Sequence, residues 1–373
     1  MKLHIPSLNG LRALSIFMVI GFHLMQHHFL PNNQFIKLGS QLLFNGQMGV
    51  NIFFVISGFL ITSLLMKEME NTGDISLRKF YGRRIIRIFP AYYFLMLVYM
   101  LLDHYGYFKM DARNWFSNLT FTKQFFHDSL YETEHLWSLS VEEIFYLVWP
   151  LLFISLNKFY SRVVGCLILF FVVFRIFQFA YPMPHLNNSI WSTGDALLTG
   201  CLFAKYNNRI LTWVENNKKW AWIVLPAILS SLIIYNYLYH LGSYKILKSD
   251  ASLLNTLQSF AYAFFGNIGL VTNLLIGCLI IISINLKNNP WFKFLNLRIM
   301  ELFGRLSYSL YLWQQLFTKD SPTMHRVPLI LLLMIILACA CFSYYLIERP
   351  FLKLKTILGF KEQYHPSMNI QIK

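Results

Sequence analysis

Charge is scarce in this chain, and negative charge most of all. Only 13% of its 373 residues are Asp, Glu, Lys or Arg, with 17 acidic against 32 basic. Soluble domains carry about 25% charged residues, so an ordinary water-soluble globule is excluded. Cysteine is sparse as well. The five residues, Cys166, Cys201, Cys278, Cys339 and Cys341, lie in apolar segments without paired spacing. They offer neither a disulfide framework nor a metal-ligand set, and they read as small core residues. The chain has no Pro/Ser-rich linker, no low-complexity tract and no evident internal repeat. It also lacks the pattern of a cleavable signal peptide, so its first apolar helix is expected to act as an uncleaved anchor.

What the chain has in abundance is apolar length. Hydrophobic residues make up 56% of it and the mean hydropathy is +0.47. Runs of about 20 apolar residues, enough to cross a bilayer as a helix, fall near 9–28, 45–66, 85–102, 136–156, 162–180, 188–204, 220–239, 264–286, 299–317 and 328–347. The expected fold is therefore all-α, a polytopic membrane bundle of about ten transmembrane helices. Runs this long are not those of a β-barrel, whose strands alternate. With a cytoplasmic N-terminus, the inside segments carry 23 Lys and Arg and the outside segments eight, with Arg175 inside a span. That bias orients the chain with both termini cytoplasmic. It also explains the net charge of +15 without nucleic acid as a partner. The expected organisation is one membrane domain, 1–350, followed by a basic cytoplasmic tail, 351–373. The segment 252–286 could hide a broken helix.

The first helix carries two ionisable residues in an otherwise apolar stretch. Arg12 and His23 are eleven residues apart, close to three turns, so they share one face with a rise of roughly 16 Å between them. Ionisable groups in hydrocarbon are expensive and mark pathways or reacting centres. The plainer alternative has Arg12 reaching lipid headgroups and His23 packing as a hydrogen-bonded core residue. His27 adds an i, i+4 partner to His23, but no third ligand of suitable spacing follows, so no metal is expected.

Further polar clusters interrupt the later spans. In the second, Ser57 and Gly58 sit among phenylalanines, suited to close helix packing. In Arg83-Arg84-Ile85-Ile86-Arg87 the guanidinium groups of Arg84 and Arg87 are neighbours on one helix face. They suit phosphate recognition, or else topogenic charge and lipid phosphate contact. The stretch His135-Leu136-Trp137-Ser138-Leu139-Ser140-Val141-Glu142-Glu143 brings two adjacent carboxylates into a membrane span. Ser138 and Glu142 share a face there and Glu143 points about 100° away. Counting residues from the assumed membrane edges puts Glu142 and His23 at about the same depth, where a carboxylate could hold an imidazole as a general base. The alternative is a structural acid pair at a helix end. Asp195 in the sixth span and Arg175 late in the fifth read as an ion pair between adjacent helices. Gly304-Arg305-Leu306-Ser307-Tyr308-Ser309-Leu310-Tyr311-Leu312-Trp313-Gln314 opens the ninth span with aligned hydroxyls.

Taken together and in order, these stretches resemble the acyltransferase 3 family of integral membrane acyltransferases. The resemblance runs from Leu8-Asn9-Gly10-Leu11-Arg12 to Leu346-Ile347-Glu348-Arg349-Pro350-Phe351. It rests on Arg12 with ten residues before His23, FFVISGFLIT at 53–62, RRIIRIFPAYY at 83–93, WSLSVEEIFYLVWP at 137–150 and GRLSYSLYLW at 304–313. It implies ten helices in the inner (plasma) membrane and transfer of an acyl group, usually acetyl from cytoplasmic acetyl-CoA, to a carbohydrate hydroxyl. His23 is then the catalytic imidazole, Arg12 its motif partner, Arg84 and Arg87 the cytoplasmic arginine pair, and Glu142 and Glu143 the paired carboxylates. Two positions depart from the family pattern: members often carry Asp where this chain has Asn51 and His where it has Gln314. Some members carry an appended hydrolase-like extracellular domain, for which this chain shows no counterpart.

On this reading Arg84, Arg87 and Arg12 hold the phosphates of a polyanionic acyl-CoA, which is a donor substrate and not a bound cofactor. The acceptor is a cell-envelope or extracellular carbohydrate: a lipopolysaccharide O-antigen, a capsule, an exopolysaccharide, a lipid-linked precursor or a small glycoside. Ser138, Ser57, Glu143, Asp195 and Arg175 are candidate supporting residues. Two rival functions use the same buried charges: a transporter or flippase for lipid-linked sugars, and a non-catalytic scaffold of envelope polysaccharide assembly.

Overall fold

Capping residues cut the apolar runs into helices. In the computed structural model Asn45 accepts from the Met48 amide (2.9 Å) to open one helix, and Gly73, in the left-handed region at φ 74°, closes it; such caps satisfy backbone groups that a helix end leaves open. The structure describes residues 6–357 except 32, 127–129, 157–158, 182, 184–185, 187, 242–263, 265, 267–268, 288, 322–323 and 325. Among the described residues there are helices and no strand. In chain order they are α1 (Pro6–Gln26), α2 (Gln34–Leu43), α3 (Gly46–Thr72), α4 (Leu77–His104), α5 (Ala112–Leu119), α6 (Tyr131–Glu134), α7 (Leu136–Leu156), α8 (Tyr160–Ala180), α9 (Ile190–Asn216), α10 (Lys218–Leu241), α11 (Leu270–Asn285), α12 (Pro290–Leu295), α13 (Arg298–Phe317), α14 (Leu329–Phe342) and α15 (Arg349–Ile357). A π-helical turn, Ser343–Glu348, joins the last two.

Among the described residues every expected apolar run overlaps one of these helices. Six stretches of the described residues are long and apolar enough to cross a membrane: Pro6–Gln26, Gln34–Thr72, Leu77–His104, Tyr131–Leu156, Tyr160–Gln178 and Leu329–Leu354. Helices α10 and α11 hold shorter apolar stretches, Trp222–Leu238 and Leu270–Asn285. The segment proposed to hide a broken helix begins outside the described residues, as do the last sixteen residues of the tail. Cys201 is buried as expected, but Cys166 is exposed, because it lies on the outward face of α8.

Helix α3 is the centre of the bundle. It packs along α9 and α1, and it also meets α7 and α11. Its closest approach to α9 uses a reciprocal pair of glycines. A Cβ on Gly58 would overlap the Leu197 carbonyl, and a Cβ on Gly200 would overlap the Val55 carbonyl. Helix α1 runs beside α13, and the phenols of α4 tie down the segment that follows it. Tyr92 donates to the Asn118 carbonyl (2.7 Å), Tyr93 to Leu119 (3.0 Å) and Tyr99 to Glu132 (2.7 Å). Of these two adjacent phenols Tyr92 is buried, as a loop anchor, and Tyr93 is exposed.

A buried polar ladder crosses four helices. Arg175 of α8 forms an ion pair with Asp195 of α9 and donates to the Ser192 carbonyl from Nε (3.1 Å) and Nη2 (2.9 Å). Asn273 of α11 donates to the other Asp195 oxygen (2.9 Å), and Asn51 of α3 donates to Asn273 Oδ1 (3.1 Å). One guanidinium balances one carboxylate, and two amides carry the hydrogen bonds onward. An acid at position 51 would add a second negative charge with no second cation in the ladder. Asn51 thus suits this arrangement as it stands.

Two stability predictions follow from this packing, both read as thermal unfolding in detergent. Gly200→Val is expected to destabilise by about 3 kcal/mol through overpacking, while Gly39→Ala, which points into open space, is neutral or slightly stabilising. Arg175→Met leaves Asp195 as an uncompensated buried charge and is expected to cost about 3–5 kcal/mol. The double variant Arg175→Met/Asp195→Leu should recover at least half of that loss.

Candidate functional site

The site is a polar column between α1, α3, α4, α7 and α13. At one end stand three permanent cations: Arg12 from α1, and Arg84 and Arg87 from α4. Glu142 of α7 lies within electrostatic reach of all three. Its Oε1 accepts a 2.7 Å hydrogen bond from Ser57 of α3. The Arg84 guanidinium stacks over the Tyr146 ring at 4.8 Å and over Phe80 at 5.8 Å, contacts of the cation–π kind. Arg83 turns away to pair with Glu68 (2.8 Å). Arg12, Ser57, Arg84, Glu142 and Glu143 are half-buried, and Arg87 is exposed. The cluster therefore lines accessible space and is not sealed in the core. Glu143, on the neighbouring face of α7, interacts electrostatically with Glu142 and Arg84, and its Oε1 has no hydrogen-bond partner among the described residues.

His23 lies at the other end. Its Nδ1 is 3.4 Å from the Tyr131 hydroxyl, with the two rings edge-on at 6.1 Å. Tyr131 is held in turn by α13 and the residue that follows it. Gln315 Nε2 donates to the Tyr131 carbonyl (2.6 Å), and the Tyr131 hydroxyl reaches the Thr318 carbonyl (3.2 Å) and hydroxyl (3.0 Å). A second imidazole, His135, is buried nearby and interacts electrostatically with His23; its Nε2 is 3.2 Å from the Leu312 carbonyl.

The expected pairing of Glu142 with His23 does not occur. Among the described residues no hydrogen bond, ion pair or ring contact joins them. The reason is electrostatic and geometric. A carboxylate in a low-dielectric site gains most from permanent cations, and Arg12 offers one from the same helix as His23, roughly 16 Å further along it. Counting depth from assumed helix ends carried an error of several residues, and each residue is 1.5 Å. Ser138 is likewise not a partner of Glu142. Its hydroxyl shares a 2.5 Å hydrogen bond with Tyr311, whose phenol also donates to the His135 carbonyl (2.9 Å). Asp195 and Arg175 belong to the ladder away from the column.

Tyr131, His135, Tyr311, Gln315 and Thr318 had no assigned role in the sequence reading. One signal could have found two of the five. In α13 the polar residues Ser307, Tyr311 and Gln314, with Thr318 just beyond the helix, follow spacings of four, three and four residues, which place them on one helical face. His135 stood in a quoted motif but was masked by the carboxylates after it. Gln314 is fully buried and both atoms of its side-chain amide lack a hydrogen-bond partner among the described residues. Among the described residues no three His, Cys, Asp or Glu side chains converge as a metal-ligand set.

Residues 5–348 match the model of a family described as an acyltransferase domain. Among curated proteins the chain is similar to the O-acetyltransferase OatA of Staphylococcus aureus (strain NCTC 8325 / PS 47), at 28% identity over 391 aligned positions covering 96% of this chain and 58% of that protein. It is also similar to a putative O-acetyltransferase, SACOL0978, of Staphylococcus aureus (strain COL), at 37% identity over 166 positions, 41% of this chain and 25% of that one. The chain thus spans little more than half the length of the first of these relatives. No solved structure matches it. With a family match that takes in α1 through the π-helical turn, and with every element of the column inside it, this chain belongs to the acyltransferase domain family.

Proposed function

We propose that the protein is an integral membrane O-acyltransferase that moves an acyl group, most simply acetyl, from cytoplasmic acyl-CoA to a hydroxyl of a cell-envelope carbohydrate. The observation that carries this reading is the polar column: an arginine cluster at one end and a half-buried imidazole at the other, with Arg12 and His23 both carried by α1. The names of the relatives support the O-acetyl group in particular. The Lys and Arg asymmetry supports a multi-pass topology of ten spans in the inner membrane with both termini cytoplasmic. On that topology the Arg12 end is the cytoplasmic mouth. Residues 1–350 then form the catalytic domain and 351–373 a basic tail.

On this reading each group has one task. Arg84, Arg87 and Arg12 bind the donor's phosphates, which guanidinium groups suit by charge and fork geometry. Glu142, hydrogen-bonded by Ser57, keeps three like charges together while the donor is absent. The long pantetheine arm carries the thioester up the column to His23. The imidazole takes the proton of the acceptor hydroxyl as that oxygen attacks the acyl carbon, and the proton then passes to the departing thiolate. The same geometry also admits acyl transfer through His23 itself. A labelled acyl group trapped on the protein without acceptor would separate the two routes.

Proteoliposomes supplied with labelled acetyl-CoA and a surface glycan test the reading. His23→Ala is expected to lower transfer by about a thousandfold with unchanged expression, and retained transfer would overturn the assignment. Arg84→Ala is expected to raise KM for the donor about tenfold, the equivalent of about 1.4 kcal/mol, with little change in kcat. An unchanged KM would remove Arg84 from the donor site. Substrate movement without acyl-CoA consumption would favour a transporter.

A further inference from the structure

An imidazole serves as a base through one nitrogen only if the other holds the hydrogen. In the column that choice is made by Tyr131. Its phenolic oxygen faces Nδ1 of His23 at 3.4 Å and two groups of Thr318, the carbonyl at 3.2 Å and the hydroxyl at 3.0 Å. A carbonyl has no hydrogen to give. The Thr318 hydroxyl already directs its own hydrogen to the Gln314 carbonyl at 3.2 Å. Both Thr318 groups therefore present lone pairs to the phenol, and the phenolic hydrogen goes to Thr318. What Tyr131 turns toward His23 is a lone pair, and its natural partner is an Nδ1–H.

We propose that Tyr131 is the positioning residue of His23: its oxygen accepts the Nδ1 hydrogen and leaves Nε2 as the nitrogen that handles the acceptor's proton. This inference rests on the transfer reading of His23 given above. The support is built into the chain on both sides of the tyrosine. Gln315 clamps the Tyr131 carbonyl at 2.6 Å, Lys319 pairs with the adjacent Glu132 at 2.7 Å, and Tyr99 donates to the Glu132 carbonyl at 2.7 Å. The last residues of α13, the segment after it and α4 thus hold one short turn, α6, against the end of α1. The other titratable groups that face this pair are His27, whose ring lies 4.7 Å from Tyr131, and His135 on the α7 side, with Glu132 next to Tyr131 in the chain and Glu134 three residues on.

The proton balance of the transfer step follows. The acceptor O–H bond breaks and its proton moves to Nε2. The acceptor oxygen forms its bond to the acyl carbon, the C–S bond of the thioester breaks, and the proton on Nε2 passes to the sulfur. Throughout, Nδ1–H stays on the Tyr131 oxygen, and that bond strengthens while the ring is an imidazolium. Glu142, at the arginine end, is not needed for this step.

The test compares the full-length wild type with Tyr131→Phe, which removes one oxygen and no packing volume. With ¹⁵N-labelled histidine in a lipid nanodisc above the pH range of histidine titration, His23→Gln identifies the His23 signals by difference. The expected wild-type spectrum shows His23 as the Nδ1–H form, and Tyr131→Phe converts it to a mixture or to the Nε2–H form. In the transfer assay Tyr131→Phe is expected to lower kcat about a hundredfold, the scale on which a wrongly set imidazole slows acyl transfer, with KM for acetyl-CoA within twofold of wild type. Thr318→Val, which keeps the backbone acceptor, should fall between the two. An unchanged tautomer in Tyr131→Phe would overturn the inference, as would a wild-type His23 in the Nε2–H form. Should the wild type transfer no acyl group, the functional reading fails while the tautomer measurement still decides the role of Tyr131.

Discussion

Three guanidinium groups held at one end of a helical bundle repel one another and need negative charge close at hand, because partly buried charges are only weakly screened. Arg12, Arg84 and Arg87 come from two helices far apart in the sequence, and Glu142 comes from a third. The electrostatics thus tie α1, α4 and α7 together, and Ser57 adds α3 by its hydrogen bond to Glu142. Most of the column follows from that constraint. The carboxylate is used on the arginines, so the imidazole at the other end must be oriented by neutral groups. Tyr131 and Thr318 supply them. The surplus of cation over carboxylate at the arginine end is what a polyanionic donor would meet.

The placement of the helices was legible in the sequence because a long apolar run has one stable solution in a bilayer, a helix with its backbone satisfied internally. Every expected run overlaps a helix, but several helices run past it, α4 starting at Leu77 and α9 ending at Asn216, and capping by Asn45, Ser76 and Gly73 decides where α3 and α4 start and where α3 stops. The arginine pair on one face of α4 and the Arg175–Asp195 pair could also be read from spacing and from the rarity of charge in these segments. The pairing of Glu142 with His23 was misread because a sequence shows how far along its own helix a residue lies but not how neighbouring helices are offset. Tyr131 escaped notice for a different reason. It sits in a four-residue helix between apolar runs, where no periodicity marks it, and its importance arises from α13 reaching it through Gln315 and Thr318.

The two departures from the family pattern have different structural meanings. Asn51 is built into a ladder whose single carboxylate, Asp195, is already matched by Arg175. The amide there completes the hydrogen bonding without adding charge. Gln314 is the reverse case: a fully buried amide whose own nitrogen and oxygen find no partner among the described residues. It lies on the same face of α13 as Tyr311 and one turn from Thr318, so it sits between the two hydroxyl-bearing contacts that frame the column.

The π-helical turn at Ser343–Glu348 sets the phase of the chain after α14. A π turn accommodates one more residue than an α turn, so everything beyond it is rotated by about 100° relative to a straight α-helix. Glu348 reaches Ser309 of α13 (3.2 Å) in this phase. Loss of a single residue anywhere between 343 and 348 would let the segment rewind as ordinary α-helix and swing Glu348 and α15 to another side of the rod. Along this stretch, side chains can be exchanged more freely than the residue count can change.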